Sequence, residues 1–220
     1  MFMRRTLSFL VALFIFYFSH SQTTKELLSA DSAVWFGIDY SKAKFTGSFA
    51  QAFGIDPNNG TELVEKWIPE WNKIILNEQQ NFPINEAIKK PYTFFDISSV
   101  NAINSKINRD SIYSEEPMGY KIPNPDKTIP EMIQKYSSKR KGLGVVLIAE
   151  SYNKKAHNAY VYFVLFRIET KQVIGYKRLM GIPKGIGLRN FWSGAIKDII
   201  KQISNSAYPS VSWNATKPTK

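Results

Sequence analysis

Two aspartates follow apolar segments that have the pattern of buried strands. Asp39 lies near the end of 33–40, and Asp96 near the end of 92–97. If those strands are parallel neighbours, their carboxylates converge at one edge of the sheet, and such a pair can divide the acid and base roles of a hydrolase. The simpler interpretation, which we favour, is that each carboxylate caps the turn after its strand. We therefore predict no catalytic residues, with Asp39 and Asp96 as the alternative.

A glycine-rich segment, Gly181–Gly187, joins a predicted strand to a predicted helix. Exposed backbone amides at a helix start can bind an anion, and nearby cations would add to that attraction. The spacing matches neither the phosphate-loop pattern nor the dinucleotide fingerprint, so a plain tight turn is the simpler interpretation. If a small anionic ligand binds here, the predicted ligand-binding residues are Lys184, Gly185, Gly187 and Arg189.

Cysteine is absent and there are only two histidines. The lack of cysteine excludes disulfides, thiol catalysis and thiolate metal sites. His157 follows Lys154 and Lys155 in a predicted turn, where positive charge disfavours a protonated ring. One internal histidine among scattered carboxylates has no metal-ligand spacing and supports no nucleophilic triad, so we predict neither a metal site nor a cofactor.

Tryptophans and strand tyrosines could form a stacking cleft for sugars or peptides. However, Trp35, Trp67, Trp71 and Trp192 have the helical or strand spacing of core residues, and we predict that they pack inside. Trp213 has no periodic partners, so it could dock back onto the domain or contact another chain.

The elements that must position these residues alternate along the chain before ending in a run of strands. Apolar segments predict strands at 33–40, 92–97, 143–149, 159–168 and 173–180. Helical periodicity predicts a helix at 63–75, kinked or divided at Pro69, a helix starting at Thr128, and a closing helix at 191–203. Residues 108–127 contain three prolines and predict a long irregular loop.

Helices separate the early strands, which allows parallel pairing, whereas short turns join the last three strands and require antiparallel pairing. The predicted fold class is therefore α/β (α+β): a single domain over residues 22–206, with a mixed sheet of about five strands and an antiparallel C-terminal meander, packed by helices. Residues 207–220 predict a flexible polar tail.

The N-terminus has the order of a secretory signal peptide. Two arginines precede an apolar stretch, Leu7–Phe18, and small residues follow up to Ser21. The apolar stretch is shorter than the roughly 20 residues that a spanning helix needs. We expect residues 1–21 to be removed, leaving no membrane-spanning segment, and a periplasmic or secreted protein that is not a lipoprotein.

The chain carries a formal net charge of +11. Because we expect export, we predict no nucleic-acid partner in the cell, although the charge alone would permit non-specific binding. An acidic envelope protein, an anionic envelope polymer or lipid headgroups fit that compartment better. A basic surface that simply keeps the protein in solution is the open alternative, and the sequence does not predict an oligomeric state.

The stretch Tyr160–Val173 resembles a unit found in small exported envelope proteins. In that unit a long apolar strand runs into aromatic-x-Ile-x-Thr-x-x-Val, followed by a strand, a glycine-rich link and a terminal helix. It is similar to the fold of the N-terminal domain of TolB, the LpoB-type activators and CsgG. The leader and the aromatic content also resemble uncharacterised exported proteins of Bacteroidetes. This resemblance implies a non-enzymatic binding or assembly role in the cell envelope.

Overall fold

The structure, a computed structural model, describes residues 24–47, 60–114 and 119–206. The strands are β1 (Ser32–Asp39), β2 (Lys44–Thr46), β3 (Tyr92–Phe95), β4 (Tyr113–Ser114), β5 (Leu143–Asn153), β6 (Asn158–Arg167) and β7 (Val173–Gly181). The α-helices are α1 (Thr24–Ser29), α2 (Ile68–Asn77), α3 (Ile84–Ala87), α4 (Ser98–Asn104), α5 (Arg109–Ile112), α6 (Pro125–Ile133) and α7 (Gly187–Asn205). The predicted leader, the predicted tail and Trp213 lie outside the described residues.

The sheet is mixed, as predicted, and the described residues give it seven strands rather than about five. β1 pairs in parallel with β3 on one side and with the first half of β5 on the other. β2 runs parallel to the second half of β5 and to β4. β6 and β7 extend the sheet beyond β5 as antiparallel strands. The described residues therefore form a single mixed α/β domain with the antiparallel C-terminal meander that the sequence predicts.

Helices cover the sheet on both faces, so that the domain has three layers. One core contains α1, α2, α3 and α7 against one face of the sheet. The other core places α4 and α6 against the opposite face. Alternate residues of β1 enter the two cores: Trp35 belongs to the first and Phe36 to the second. This explains why β1 is apolar at consecutive positions rather than at every second one.

The end of β1 is irregular, and two buried asparagines stabilise it. Gly37 has a φ of +94° at a register shift against β5, and a Cβ there would lie 2.6 Å from Oδ1 of Asn72. The Asn72 side chain accepts a hydrogen bond from Ile38 N–H at 2.7 Å and donates to the Ile38 carbonyl at 3.0 Å. Asn104 donates to the same carbonyl at 2.9 Å. These amides replace sheet hydrogen bonds that the bulge interrupts.

Two predicted elements differ from the structure. Residues 108–127 are not one irregular loop, because they contain α5, β4 and the beginning of α6. Helix α6 begins at Pro125, three residues before the predicted start.

The division near Pro69 is confirmed: a π-helical turn, Leu63–Trp67, leads directly into α2, whose first turn holds the proline.

Candidate functional site

A cavity of about 610 Å³ opens at the carboxyl end of β1. Its walls come from the β1–β2 loop, the end of α4, α5, Tyr120 and the residue two positions after α6, Lys135. The chain runs outward from β1 to β3 and then returns past β1 to β5. A reversal of this kind at the carboxyl ends of parallel strands is where open α/β sheets bind ligands.

Four lysines line this cavity: Lys42, Lys44, Lys106 and Lys135. We call it the lysine cavity. Three of them are exposed, and Lys44 is half-buried and donates a hydrogen bond to the carbonyl oxygen of Ser111. No aspartate or glutamate of the described residues lines the cavity. Within the same residues, no ion pair joins any of the four lysines to a carboxylate. As far as the described residues go, the cavity therefore concentrates positive charge that no carboxylate pairs with.

Asp39 fixes the β1–β2 loop, which carries Lys42 and leads to Lys44 at the start of β2. Its carboxylate is almost fully buried and accepts hydrogen bonds from the Ser41 amide at 2.8 Å and the Tyr136 hydroxyl at 2.7 Å. Burial, followed by the charge of Asp39 and this hydrogen bond, raises the pKa of Tyr136 well above its usual value. Tyr136 therefore remains a donor over the physiological pH range.

Glu150 fixes the segment that carries Tyr120. It is completely buried and accepts hydrogen bonds from the Ile122 amide at 3.0 Å and the Tyr162 hydroxyl at 3.1 Å. Arg178 forms an ion pair with it from β7. Because Ile122 follows Tyr120 by two residues, this buried carboxylate fixes the segment that brings Tyr120 to the cavity. Burial, with the charge of Glu150 added, raises the pKa of Tyr120.

Asp39 and Asp96 lie at strand ends, as predicted, but the structure does not join them into one site. The residue paired with Phe95 is Trp35, so Asp96 is offset from Asp39 by about 10 Å along neighbouring strands. Asp96 accepts hydrogen bonds at 2.7 Å from the hydroxyls of Ser98 and Ser138. Each carboxylate therefore accepts a hydrogen bond within its own turn, from Ser41 or from Ser98, and a second one from the segment after α6, from Tyr136 or from Ser138.

Arg189, one of the predicted anion-binding residues, is engaged by carboxylates. It contacts Glu70 at 3.2 Å and Glu78 at 3.0 Å. The hydrogen bond to Glu78 is the largest contribution to its raised pKa, and the same bond lowers the pKa of Glu78. Arg189 is therefore not directed at a ligand in this structure.

The glycine-rich segment Gly181–Gly187, which we call the glycine link, folds back on α7. The Lys184 amide donates to the Phe191 carbonyl at 3.2 Å, and the Ile182 amide donates to the carboxylate of Asp198 at 3.0 Å. Gly185 and Gly187 have φ values of +125° and +77°, which glycine adopts without strain. The structure accounts for the glycines as turn residues, and anion binding at Lys184, Gly185, Gly187 and Arg189 stays a prediction.

The aromatic and histidine residues have structural positions. Trp35, Trp71 and Trp192 are buried, as the spacing predicts, and Trp67 packs against the same core. His157 lies in the β5–β6 turn with its ring 5.9 Å from that of Phe191. No group of three or more potential metal ligands occurs among the described residues.

Comparison with models of protein families, with curated proteins and with solved structures finds no match to this chain. Within residues 24–47, 60–114 and 119–206, no helix combines the length and apolarity needed to cross a membrane. The lysine cavity therefore has to be interpreted from its own chemistry.

No sequence pattern predicts the lysine cavity. Its lysines come from three separated stretches of the chain and share no spacing, so no motif marks them. One signal was available: Lys42 and Lys44 directly follow a strand that is buried on both faces. Loops at the carboxyl ends of such strands often carry ligand sites.

Proposed function

We propose that this protein is a non-enzymatic binding module that takes an anionic ligand in the lysine cavity. The observation that carries the proposal is the cavity's charge: four lysines face about 610 Å³ with no described carboxylate in the lining. Like charges around one cavity repel each other, and a bound phosphate or carboxylate group relieves that repulsion. Lysine binds such groups as a point charge, which suits a ligand of variable geometry.

The cell envelope is the setting that we propose for this activity. The leader-like residues 1–21 support export, and the net charge of +11 supports an anionic partner such as an envelope polymer or an acidic envelope protein. Cell fractionation followed by N-terminal sequencing tests this setting. We expect material outside the cytoplasm that begins near Gln22. Recovery of full-length protein in the cytoplasm would contradict export, but it would not contradict the proposed binding of an anion in the lysine cavity.

Calorimetric titration with inorganic pyrophosphate and with citrate tests the binding itself. Both anions should bind to the purified protein, and the double variant Lys106→Gln, Lys135→Gln should bind about tenfold more weakly, because two of the four charges are gone. Both lysines are exposed, so the variant should fold normally.

The matched control is the double variant Lys73→Gln, Lys201→Gln. It removes the same charge from exposed positions on α2 and α7 that do not line the cavity. It should retain the wild-type affinity. Equal weakening in the two double variants would show that net charge attracts the anion, and would contradict a defined site.

A further inference from the structure

Strand β3 forms one end of the sheet and exposes two aromatic side chains. Among residues 24–47, 60–114 and 119–206, the only strand that pairs with it is β1. Tyr92 is 64% exposed and Phe94 is 42% exposed. Both side chains lie on the face of the second core, because Phe94 pairs with Val34, which belongs to that core. A further strand can add to a sheet at an edge of this kind.

The backbone of β3 presents hydrogen-bonding groups at this edge. The Tyr92 amide donates to the Asp31 carbonyl at 3.1 Å, on the side of β1. Successive residues of a strand direct their amide and carbonyl groups to opposite sides, so Thr93 and Phe95 direct theirs away from β1. An added strand would find these groups in position to pair.

The chain that follows α7 begins beside β3. The Lys89 ammonium donates a hydrogen bond to the Ser206 carbonyl at 3.2 Å, and Lys89 precedes the first residue of β3 by three positions. The seven residue steps from Ser206 to Trp213 can span up to about 23 Å, whereas the five steps from Lys89 to Phe94 span at most about 18 Å. Trp213 can therefore reach the exposed aromatic residues of β3.

Residues 210–215 have the alternation of a short strand. Val211, Trp213 and Ala215 are apolar, and the positions between them are serine and asparagine. The segment follows Pro209, which separates it from the end of α7. A strand with this pattern presents one apolar face, and the exposed aromatic residues of β3 offer a surface for that face to cover.

The connection through α7 has the direction that such pairing needs. β7 runs parallel to β1 and β3, because two antiparallel pairings separate it from β5. Helix α7 packs in the first core, as do α2 and α3, which precede β3 in the chain. A strand after α7 that adds beyond β3 would therefore be parallel to β3. Its crossover would pass over the same face and step in the same direction as the crossover to β3, and so would have the same hand, as parallel crossovers in one sheet do.

We infer that residues 210–215 add to the outer edge of β3 as a parallel strand of the same molecule. Val211 and Trp213 then pack against Tyr92 and Phe94. This pairing covers the two exposed rings and removes an edge at which separate copies of the chain could pair. It replaces the expectation of a flexible tail for these residues. The inference concerns a different surface from the lysine cavity and does not depend on it.

An introduced pair of cysteines tests this pairing, because the chain has no cysteine of its own. Thr93→Cys with Ser212→Cys places the two thiols opposite each other in the proposed register, at a strand separation that a disulfide can bridge. Mild oxidation of the purified protein should form this disulfide within one molecule, and mass spectrometry of the proteolytic peptides detects it.

The matched control combines Ser212→Cys with Lys177→Cys. Lys177 is half-buried, as Thr93 is, but lies on β7 at the other end of the sheet. A docked segment should cross-link to this position at least about tenfold more slowly, because it is held away from β7.

Amide hydrogen exchange tests the hydrogen bonds separately. In the wild type the amides of Thr93 and Phe95 should exchange slowly, because the added strand accepts hydrogen bonds from them. Trp213→Ala should speed their exchange by about tenfold, since it removes the largest side chain of the added strand. Tyr208→Ala removes an aromatic ring from the same segment before Pro209 and should leave both rates unchanged.

Three results would overturn the inference. One is equal or faster cross-linking of the control pair, which would show that the segment is not held at β3. Another is rapid exchange of the Thr93 and Phe95 amides in the wild type. The third is a disulfide between two molecules, because a second copy would then supply the strand. None of these results bears on the anion titrations, so the two proposals can fail independently.

Discussion

Buried polar side chains stabilise the β1–β2 loop, which carries Lys42 and leads to Lys44 at the start of β2. Asp39 is one of these, and its two hydrogen bonds connect the start of the loop to Tyr136 of the second core. A buried carboxylate needs such donors, because burying an unpaired charge in an apolar environment costs far more free energy than one hydrogen bond contributes to stability.

Tyr136→Phe should lower the free energy of unfolding by about 1–3 kcal/mol, because it removes a donor from the buried Asp39 carboxylate and keeps the ring. Urea denaturation measures the change. Tyr160→Phe is the control: Tyr160 is half-buried, and its ring contact with Arg178 remains in phenylalanine. Equal stability of the wild type and Tyr136→Phe would show that the hydroxyl does not support Asp39.

The contribution of Asp96 to the stability of the fold should depend on pH. Burial alone would raise the pKa of Asp96, but the hydrogen bonds from Ser98 and Ser138 outweigh it and hold the pKa below its usual value. A lowered carboxyl pKa contributes stability above the unfolded pKa of about 3.9, and this stability disappears as the pH falls through the folded value.

Ser138→Ala should therefore cost about 1 kcal/mol of unfolding free energy at pH 7, and the difference from wild type should shrink as the pH falls below about 4. Chemical denaturation over pH 3–7 measures it. Ser105→Ala is the control, because Ser105 donates to a backbone carbonyl and not to a carboxylate. A Ser138→Ala deficit that is constant with pH would contradict the assigned role.

At the scale of elements, periodicity predicts the parts that bury apolar stripes. Strands β1, β3, β5, β6 and β7 and helix α7 were found from the alternation or helical spacing of their residues. β2 has three residues and β4 has two, which is too few to show a period. β2 forms because it pairs with β5, and β4 forms because it pairs with β2. The lysine cavity could not be predicted for a related reason: it depends on which segments the tertiary fold brings together.

A close contact joins the glycine-rich segment Gly181–Gly187 to α7, and it depends on Gly194 of that helix. A Cβ on Gly194 would overlap the carbonyl oxygen of Lys184. Replacing glycine with alanine inside a helix normally stabilises the helix by about 1 kcal/mol. Here the overlap with the Lys184 carbonyl should make the same replacement destabilising.

Gly194→Ala should destabilise the protein by about 1–3 kcal/mol, because either the link or the helix must move. Thermal unfolding followed by circular dichroism measures the effect. Gly119→Ala is the control, since a Cβ there meets nothing within 4 Å. A more stable Gly194→Ala variant would show that the link does not pack on α7 as described.

At the scale of the whole molecule, the four lysines of the cavity lie outside both cores, although Ala43, Ile107 and Ile112 of its lining belong to the first core. The two cores occupy the two faces of the sheet, whereas the lysine cavity opens at the end of β1. Changes to the exposed lysines should therefore alter affinity with little effect on folding. The net charge of +11 favours anions over the entire surface, and we propose that the cavity is where one of them binds.

The most direct measurement is amide chemical-shift mapping during titration of the isotope-labelled protein with inorganic pyrophosphate. A lysine cavity that binds anions predicts saturable shifts concentrated in residues 41–44 and 103–108 and near Lys135. Shifts centred on Lys184–Arg189, or small shifts distributed over all basic residues without saturation, would contradict it.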